Sequence, residues 1–264
     1  MLQQAKKSLV RNVLRSLSTS SNQSTEQKVV VLGGNGYVGQ QVCKMAKTMM
    51  NCEVVSISRS GAPNFDGAEK WTQEISWEKG DVLEASTWKD HLDGATGVVS
   101  CIGAFASTND AMEYANGDTN IAAAKTAKAA GVANFVFVST VENNLPEFVL
   151  AGYFKGKRRA EDQVLESFPQ TGVVLRPSFV YGSRAVGKGI SIPLWLVGKP
   201  MDMIFSTPPF EVLASTLPGA QAILAAPVPV ETVGLCAAAG AVAKLGQTGI
   251  VSTKDMKRLA KALR

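Results

Sequence analysis

The residues with the clearest chemical purpose are Gly33-Gly34-Asn35-Gly36-Tyr37-Val38-Gly39. Glycines at 33, 36 and 39 recur every third position, and 34, 36 and 39 spell GxGxxG. The run follows an apolar segment, Lys28-Val-Val-Val-Leu32, and opens a helical pattern from Tyr37 to about Met50. Glycine is needed at such a place because the turn is tight, a pyrophosphate must approach bare main chain, and helix must lie close on strand. The helix N-terminus then offers unpaired N–H groups and a partial positive charge to the anion. The spacing therefore predicts a dinucleotide site at Gly33–Gly39.

The nucleotide's second half is selected at the end of the second apolar run, Glu53-Val-Val-Ser-Ile57. An NAD site usually places Asp or Glu there, whereas a nearby arginine accommodates the 2′-phosphate of NADP. Here the place holds Ser58, Arg59 and Ser60, and Glu53 is at the wrong end of the strand. Two hydroxyls and a guanidinium suit a phosphate. NADP(H) is predicted, with NAD(H) as the alternative, and Asp81 and Val82 beside the adenine.

The elements that must position these groups alternate strand with helix. Strands are expected at Lys28–Leu32, Glu53–Ile57, Gln73–Trp77, Gly97–Ile102, Asn134–Val138 and Gly172–Leu175. Helices are expected from Tyr37 to Met50, Tyr114 to Ala130 and Pro146 to Ser167. Short, wholly apolar strands separated by helices predict an α/β fold, a doubly wound parallel sheet covered on both faces. The expected organisation is a targeting segment at 1–22, a dinucleotide-binding domain at 27–182 and a small C-terminal lid or substrate region at 183–264 packed on the same domain.

Composition closes off other classes. The net charge is +5, but Lys6, Lys7, Arg11 and Arg15 supply four of those charges in a stretch without acids, so the body is nearly neutral and shows no footprint for nucleic acid. Four scattered cysteines form no CxxC pair, and His91 is the sole histidine, in the polar stretch Trp88–Asp93, so no metal site is expected. No apolar run reaches the ~20 residues of a transmembrane helix. Met1–Asn22 is basic, serine-rich and free of acids, with Leu2, Leu9, Val13 and Leu17 on one helical side; this is the composition of a cleaved organellar presequence, with Arg15-Ser-Leu-Ser18 like a mitochondrial processing site. A mitochondrial address is expected, a plastid one being the alternative.

Together, the phosphate turn, Lys79-Gly-Asp81, Phe135-Val-Phe-Val-Ser-Thr140, Tyr153-Phe-Lys-Gly-Lys157 and Leu175-Arg-Pro-Ser-Phe-Val-Tyr-Gly182 resemble the extended and atypical short-chain dehydrogenase/reductases, a Rossmann-fold family. Gly33–Gly39, Ser58-Arg-Ser-Gly61 and Gly152–Lys157 look most like a mitochondrial and plastid subgroup that includes the dehydrogenase-like component of the fungal coenzyme Q biosynthetic complex. The Rossmann-fold accessory subunit of respiratory complex I is more distantly similar. The resemblance implies a catalytic Ser139 (or Thr140), Tyr153 and Lys157. On a helix Tyr153 and Lys157 share one face, and an ammonium nearby favours phenolate; glycines at 152 and 156 should weaken that helix. Ser139, at a strand's carboxyl end, would orient a substrate carbonyl. Cys101 and Gly103 would border the cofactor, and Pro177 would shape the nicotinamide pocket through its fixed φ.

Two functions follow. One is an NADP(H)-dependent oxidoreductase of the mitochondrial matrix acting on a small or lipophilic carbonyl, alcohol or quinone-type substrate. The other is a nucleotide-binding structural subunit of an inner-membrane, quinone-linked complex. A sugar-nucleotide epimerase fits less well, because only about 80 residues follow Tyr181. The apolar, proline-broken stretch Ile192–Phe205 is expected to form an accessible apolar mouth beside the nicotinamide.

Overall fold

In a computed structural model, the chain is described over residues 27–63, 69–141, 150–186, 190–193 and 226–264. The segment 1–22, expected to be a presequence, and most of Ile192–Phe205 lie outside the described residues.

Five buried or nearly buried residues make β1 (Lys28–Leu32), and the glycine turn leads into α1 (Tyr37–Thr48). Then come β2 (Glu53–Ser58), α2 (Lys70–Gln73), β3 (Ser76–Lys79), two short 3-10 turns, β4 (Ala95–Ser100) and α3 (Asn109–Glu113). A π-helical turn, Tyr114–Asp118, joins α3 to α4 (Thr119–Ala129). The chain continues through β5 (Asn134–Val138), α5 (Ala151–Ser167), β6 (Gly172–Arg176), β7 (Val180–Tyr181), β8 (Ser183–Val186) and β9 (Ile190–Pro193). It closes with β10 (Val228–Pro229), α6 (Val230–Ala241), β11 (Gly249–Ser252) and α7 (Thr253–Ala262).

The main sheet has seven strands in the order β11-β6-β5-β4-β1-β2-β3, every neighbour parallel. The strand order reverses at β1 and β4, where a doubly wound sheet opens a crevice at its carboxyl ends. Alternation along β1 sorts the core. Val29 and Val31 pack with α1, α6 and α7, while Val30 and Leu32 pack with α4 and α5.

Three expectations are corrected. The third strand lies at Ser76–Lys79, because Trp71 and Thr72 are buried in a single helical turn whose Thr72 carbonyl accepts the Trp77 indole N–H at 2.9 Å. The Tyr114–Ala130 helix begins as a π turn. Asn116 and Asn120 each donate through the side-chain amide to the carbonyl four residues back, at 2.8 Å, and so compete with the helical ladder. The stretch from 226 onward, read as part of a lid, instead gives the sheet its edge strand β11 and the core helix α6. Gly97 permits that packing, since a Cβ there would stand 2.0 Å from the Ala241 carbonyl.

Candidate active site

The phosphate turn is built by contacts that only glycine allows. Gly33 has a left-handed φ of 77°, and its N–H donates to the Ile57 carbonyl at 2.8 Å, tying the turn to β2. A Cβ on Gly34 would meet Ser56 Oγ at 2.2 Å, and one on Gly39 the Gly33 carbonyl at 2.2 Å. Gly36 starts α1 without a side-chain cap, and the first turn carries no acid. Its N–H groups and the helix dipole therefore face outward unneutralised.

A cleft of about 540 Å³ opens over this turn. Gly33, Asn35, Gly36, Ser58, Arg59, Ser60, Asp81, Val82, Cys101 and Gly103 line it, which brings most of the expected binding residues together. The Asn35 amide donates to the Ser60 hydroxyl at 2.5 Å, joining the phosphate turn to the end of β2. Arg59 is exposed and has no hydrogen-bonding or ionic partner among the described residues. Asp81 holds the next turn by accepting the Leu83 N–H at 3.0 Å.

Bare glycine, an uncapped helix and an exposed guanidinium fit a dinucleotide phosphate, and among the described residues Asp81 is the one acid that lines the cleft. Other expected residues play different parts. Gly34 and Gly39 form the wall behind the turn, Val38 packs into the core, and the Tyr37 hydroxyl lies beside Gly182. Pro177 is buried after β6, its carbonyl accepting the Val141 N–H at 2.9 Å.

Beyond Gly103 lie the three catalytic candidates. Lys157 is buried on α5 and donates to the Ile102 and Val138 carbonyls at 3.1 and 3.0 Å. Its Nζ stands 4.6 Å from the Phe137 ring centre and 5.9 Å from that of Tyr153. Burial lowers the ammonium to about 8, against the opposite pull of Cys101 and Glu161. Tyr153 is half-buried and stacks on exposed Phe105 at 4.9 Å. Burial raises its phenol, while a hydrogen bond with Thr140 and the charge of Arg158 lower it. Ser139 is buried and donates its hydroxyl to the Glu161 carboxylate.

Sequence patterns missed the supports. Asn116 holds Ala104 by its carbonyl at 2.7 Å and its N–H at 3.3 Å, and Asn120 accepts the Ser100 hydroxyl at 2.5 Å, so two buried amides fix the loop after β4. Leu83, Tyr114, Ala115 and Thr119 also line the cleft. Nothing in polar helix residues marked them for this; the glycines did leave a signal. Gly152 and Gly156, read as weakening the helix, let α5 touch its neighbour, since a Cβ would meet the Asn109 carbonyl at 1.8 Å and the Glu113 carbonyl at 2.7 Å.

A parallel sheet with this strand order and a glycine cradle at its switch point defines a dinucleotide-binding Rossmann protein. Residues 33–190 match the NAD(P)H-binding family, and the chain belongs to it. A chloroplastic protein of Arabidopsis thaliana is 44% identical over 240 residues, covering 90% of this chain and 79% of its own length. The mitochondrial protein FMP52-1 of Scheffersomyces stipitis is 32% identical, over 66% of this chain and 79% of its own. MIOREX complex component 2 of Saccharomyces cerevisiae is 38% identical over 79 residues, 28% of its length. Among solved structures, WbmH of Bordetella bronchiseptica in complex with NAD+ aligns with a TM-score of 0.56 at 17% identity, over 90% of this chain and 80% of that one. A UDP-N-acetylglucosamine 4-epimerase of Methanobrevibacter ruminantium aligns with 0.59 at 15%, over 86% and 76%. Both share the fold.

Proposed function

We propose that the protein is an NADP(H)-dependent oxidoreductase of the short-chain dehydrogenase/reductase type that acts in mitochondria on a small or lipophilic carbonyl, alcohol or quinone-type substrate. The observation that carries this reading is one continuous track. Bare glycine main chain faces the cleft, Arg59, unpaired among the described residues, stands at one end, and at the other Gly103 adjoins Lys157, whose Nζ is near the Tyr153 ring. A bound nicotinamide supplies or accepts the hydride. Gly33 and Gly36 with the start of α1 hold the pyrophosphate, and Ser58, Arg59 and Ser60 hold the 2′-phosphate. Tyr153 carries the proton at its phenolic oxygen, assisted by the Thr140 hydroxyl, and Lys157 places a cation beside the ribose.

The mitochondrial reading leans on the relatives named FMP52 and on the acid-free N-terminus, against one chloroplastic relative. Identifying the first residue of organelle-purified protein tests it: a start between about Ser18 and Glu26 supports a cleaved address, and an intact Met1 opposes it.

The activity test combines titration of the full chain with NADPH and NADH and a screen of NADPH oxidation by para-quinones and aldehydes. Expected are tighter NADPH binding and turnover that Tyr153→Phe abolishes while nucleotide affinity stays. Matching titration curves would remove the NADP preference. Tight binding without turnover would favour the second reading, a nucleotide-holding subunit of a quinone-linked complex. One observation points that way: the Lys157 ammonium is already engaged by two main-chain carbonyls.

A further inference from the structure

Phe105 is the most exposed large apolar side chain among the described residues, at 71%. Isolated apolar side chains are ordinary on a surface, but this one is held in place. The Ile102 carbonyl accepts Lys157 Nζ at 3.1 Å and the Asn120 amide at 3.3 Å, and Asn116 holds both main-chain groups of Ala104. Past the ring, the Thr108 hydroxyl caps α3, and the Asn109 side chain accepts the Gly152 N–H at 3.0 Å. The loop that carries Phe105 is therefore tied at both ends, its far end to the residue before Tyr153.

These ties bring two rings together. Phe105 stacks on Tyr153 with centres 4.9 Å apart and planes 20° from parallel, and Phe154 meets Tyr153 edge-on at 5.1 Å. The stack covers one face of Phe105, and its exposure leaves the other in water. Offset stacking favours a further flat ring on that face, and a ring already held gives up little freedom on binding. The surroundings select against charge. Cys101–Ser107 and Pro177–Gly182, which leave the carboxyl ends of β4 and β6 on either side of β5, contain no charged residue. Phe179, in the second of these segments, is 49% exposed. On α5, Lys155 is taken by Glu113 and Arg158 by Glu161. A charged ligand would lose hydration here without gaining a partner.

We propose that Phe105 is a specificity-determining residue whose open face stacks a flat, uncharged, conjugated ring of the substrate beside the Tyr153 phenol. The inference rests on the oxidoreductase reading for the role of Tyr153 and names the class of its substrate; the stacking itself is measured without turnover.

The test uses the full chain with NADP+ present and two probes that differ in shape, 2-naphthol, which is flat, and trans-2-decalol, its saturated counterpart. Calorimetric titration should show 2-naphthol binding more tightly by roughly fivefold or more. Phe105→Ala should weaken 2-naphthol roughly tenfold and trans-2-decalol much less. Phe105→Leu, which keeps an apolar side chain without the ring, should lose the preference for the flat probe, and Phe105→Trp should keep it. Phe105 does not line the nucleotide cleft, so an unchanged NADPH affinity reports that each variant is folded. Should Phe105→Ala not fold, Phe105→Leu decides. Equal affinities for the two probes in the parent, binding of neither, or a 2-naphthol affinity that Phe105→Ala leaves unmoved overturns the proposal. If the chain oxidises no substrate yet Phe105→Ala removes the preference, the stacking role stands and the oxidoreductase reading falls. If an aliphatic aldehyde oxidises NADPH on the protein while Phe105→Ala leaves 2-naphthol unmoved, the oxidoreductase reading stands and the stacking role falls.

Discussion

Lys157 is the residue where burial and chemistry pull hardest against each other. Desolvation lowers its ammonium from the ordinary 10.5 to about 8. Below pH 8 the lysine is charged both folded and unfolded, so the cost of burying it is fully present. Between 8 and 10.5 the folded lysine is neutral while the unfolded one keeps its proton, so this group's contribution to stability rises with pH. Lys157→Met is neutral throughout. The unfolding free energy of the parent minus that of the variant should therefore climb between about pH 8 and 10, on the order of 1 kcal/mol per pH unit. Taking the difference cancels buried Cys43, Cys101 and Cys236, whose raised thiols lower stability above pH 9 in both proteins. A flat difference in urea unfolding would mean that Lys157 keeps an ordinary affinity for its proton. At this scale residue types were legible but partners were not. Ser139 and Thr140 are adjacent hydroxyls in the sequence, and nothing there shows that Ser139 is engaged by a buried Glu161 twenty-odd positions away.

Elements were easier to read than their ends. Strands buried on both faces are uninterrupted apolar runs, so β1, β2, β5 and β6 stood out. The four-residue β11 did not, because Ile250 is exposed at the sheet edge and only Val251 is fully buried. The end of α6 carries its own strain. Ala243, just past the cap, has a left-handed φ of 57°, with its N–H on the Gly240 carbonyl and the Lys244 N–H on that of Ala239. Glycine is preferred at this place in a helix terminus, because a Cβ in the left-handed region costs ~1–2 kcal/mol, partly offset by the freedom glycine gains when unfolded. Ala243 is exposed, so no packing is lost. Ala243→Gly should stabilise the protein by about 0.5–1 kcal/mol, seen as a higher urea midpoint with unchanged slope. A lower midpoint would show that the turn is not strained.

Across the whole molecule, the cleft straddles the two halves of the sheet: the Gly33–Gly36 turn and the ends of β2 and β3 on one side, Cys101–Ala104 after β4 on the other. The parallel, doubly wound sheet was legible here because short apolar strands alternate with helices and the crossovers between them share one hand. The tail was not, because its helix α6 is apolar on all sides and so carries no periodicity to say what it packs on. A ligand lying across both halves binds the folded chain and not the unfolded one. NADPH at a hundred times its dissociation constant should therefore add ~2.7 kcal/mol to stability, or roughly 5–10 °C in melting temperature for a chain of this size. NADH lacks the 2′-phosphate that Arg59 would meet and should give a smaller shift at the same concentration. Arg59→Asp removes a charge-assisted bond worth about 1–3 kcal/mol. A tenfold loss of affinity would cut the NADPH shift to roughly half. Because Arg59 is exposed and unpaired among the described residues, the ligand-free protein should melt where the parent does. Equal NADPH and NADH shifts in the parent, or an NADPH shift untouched by Arg59→Asp, would remove Arg59 from the site and leave selection to the Ser58 and Ser60 hydroxyls.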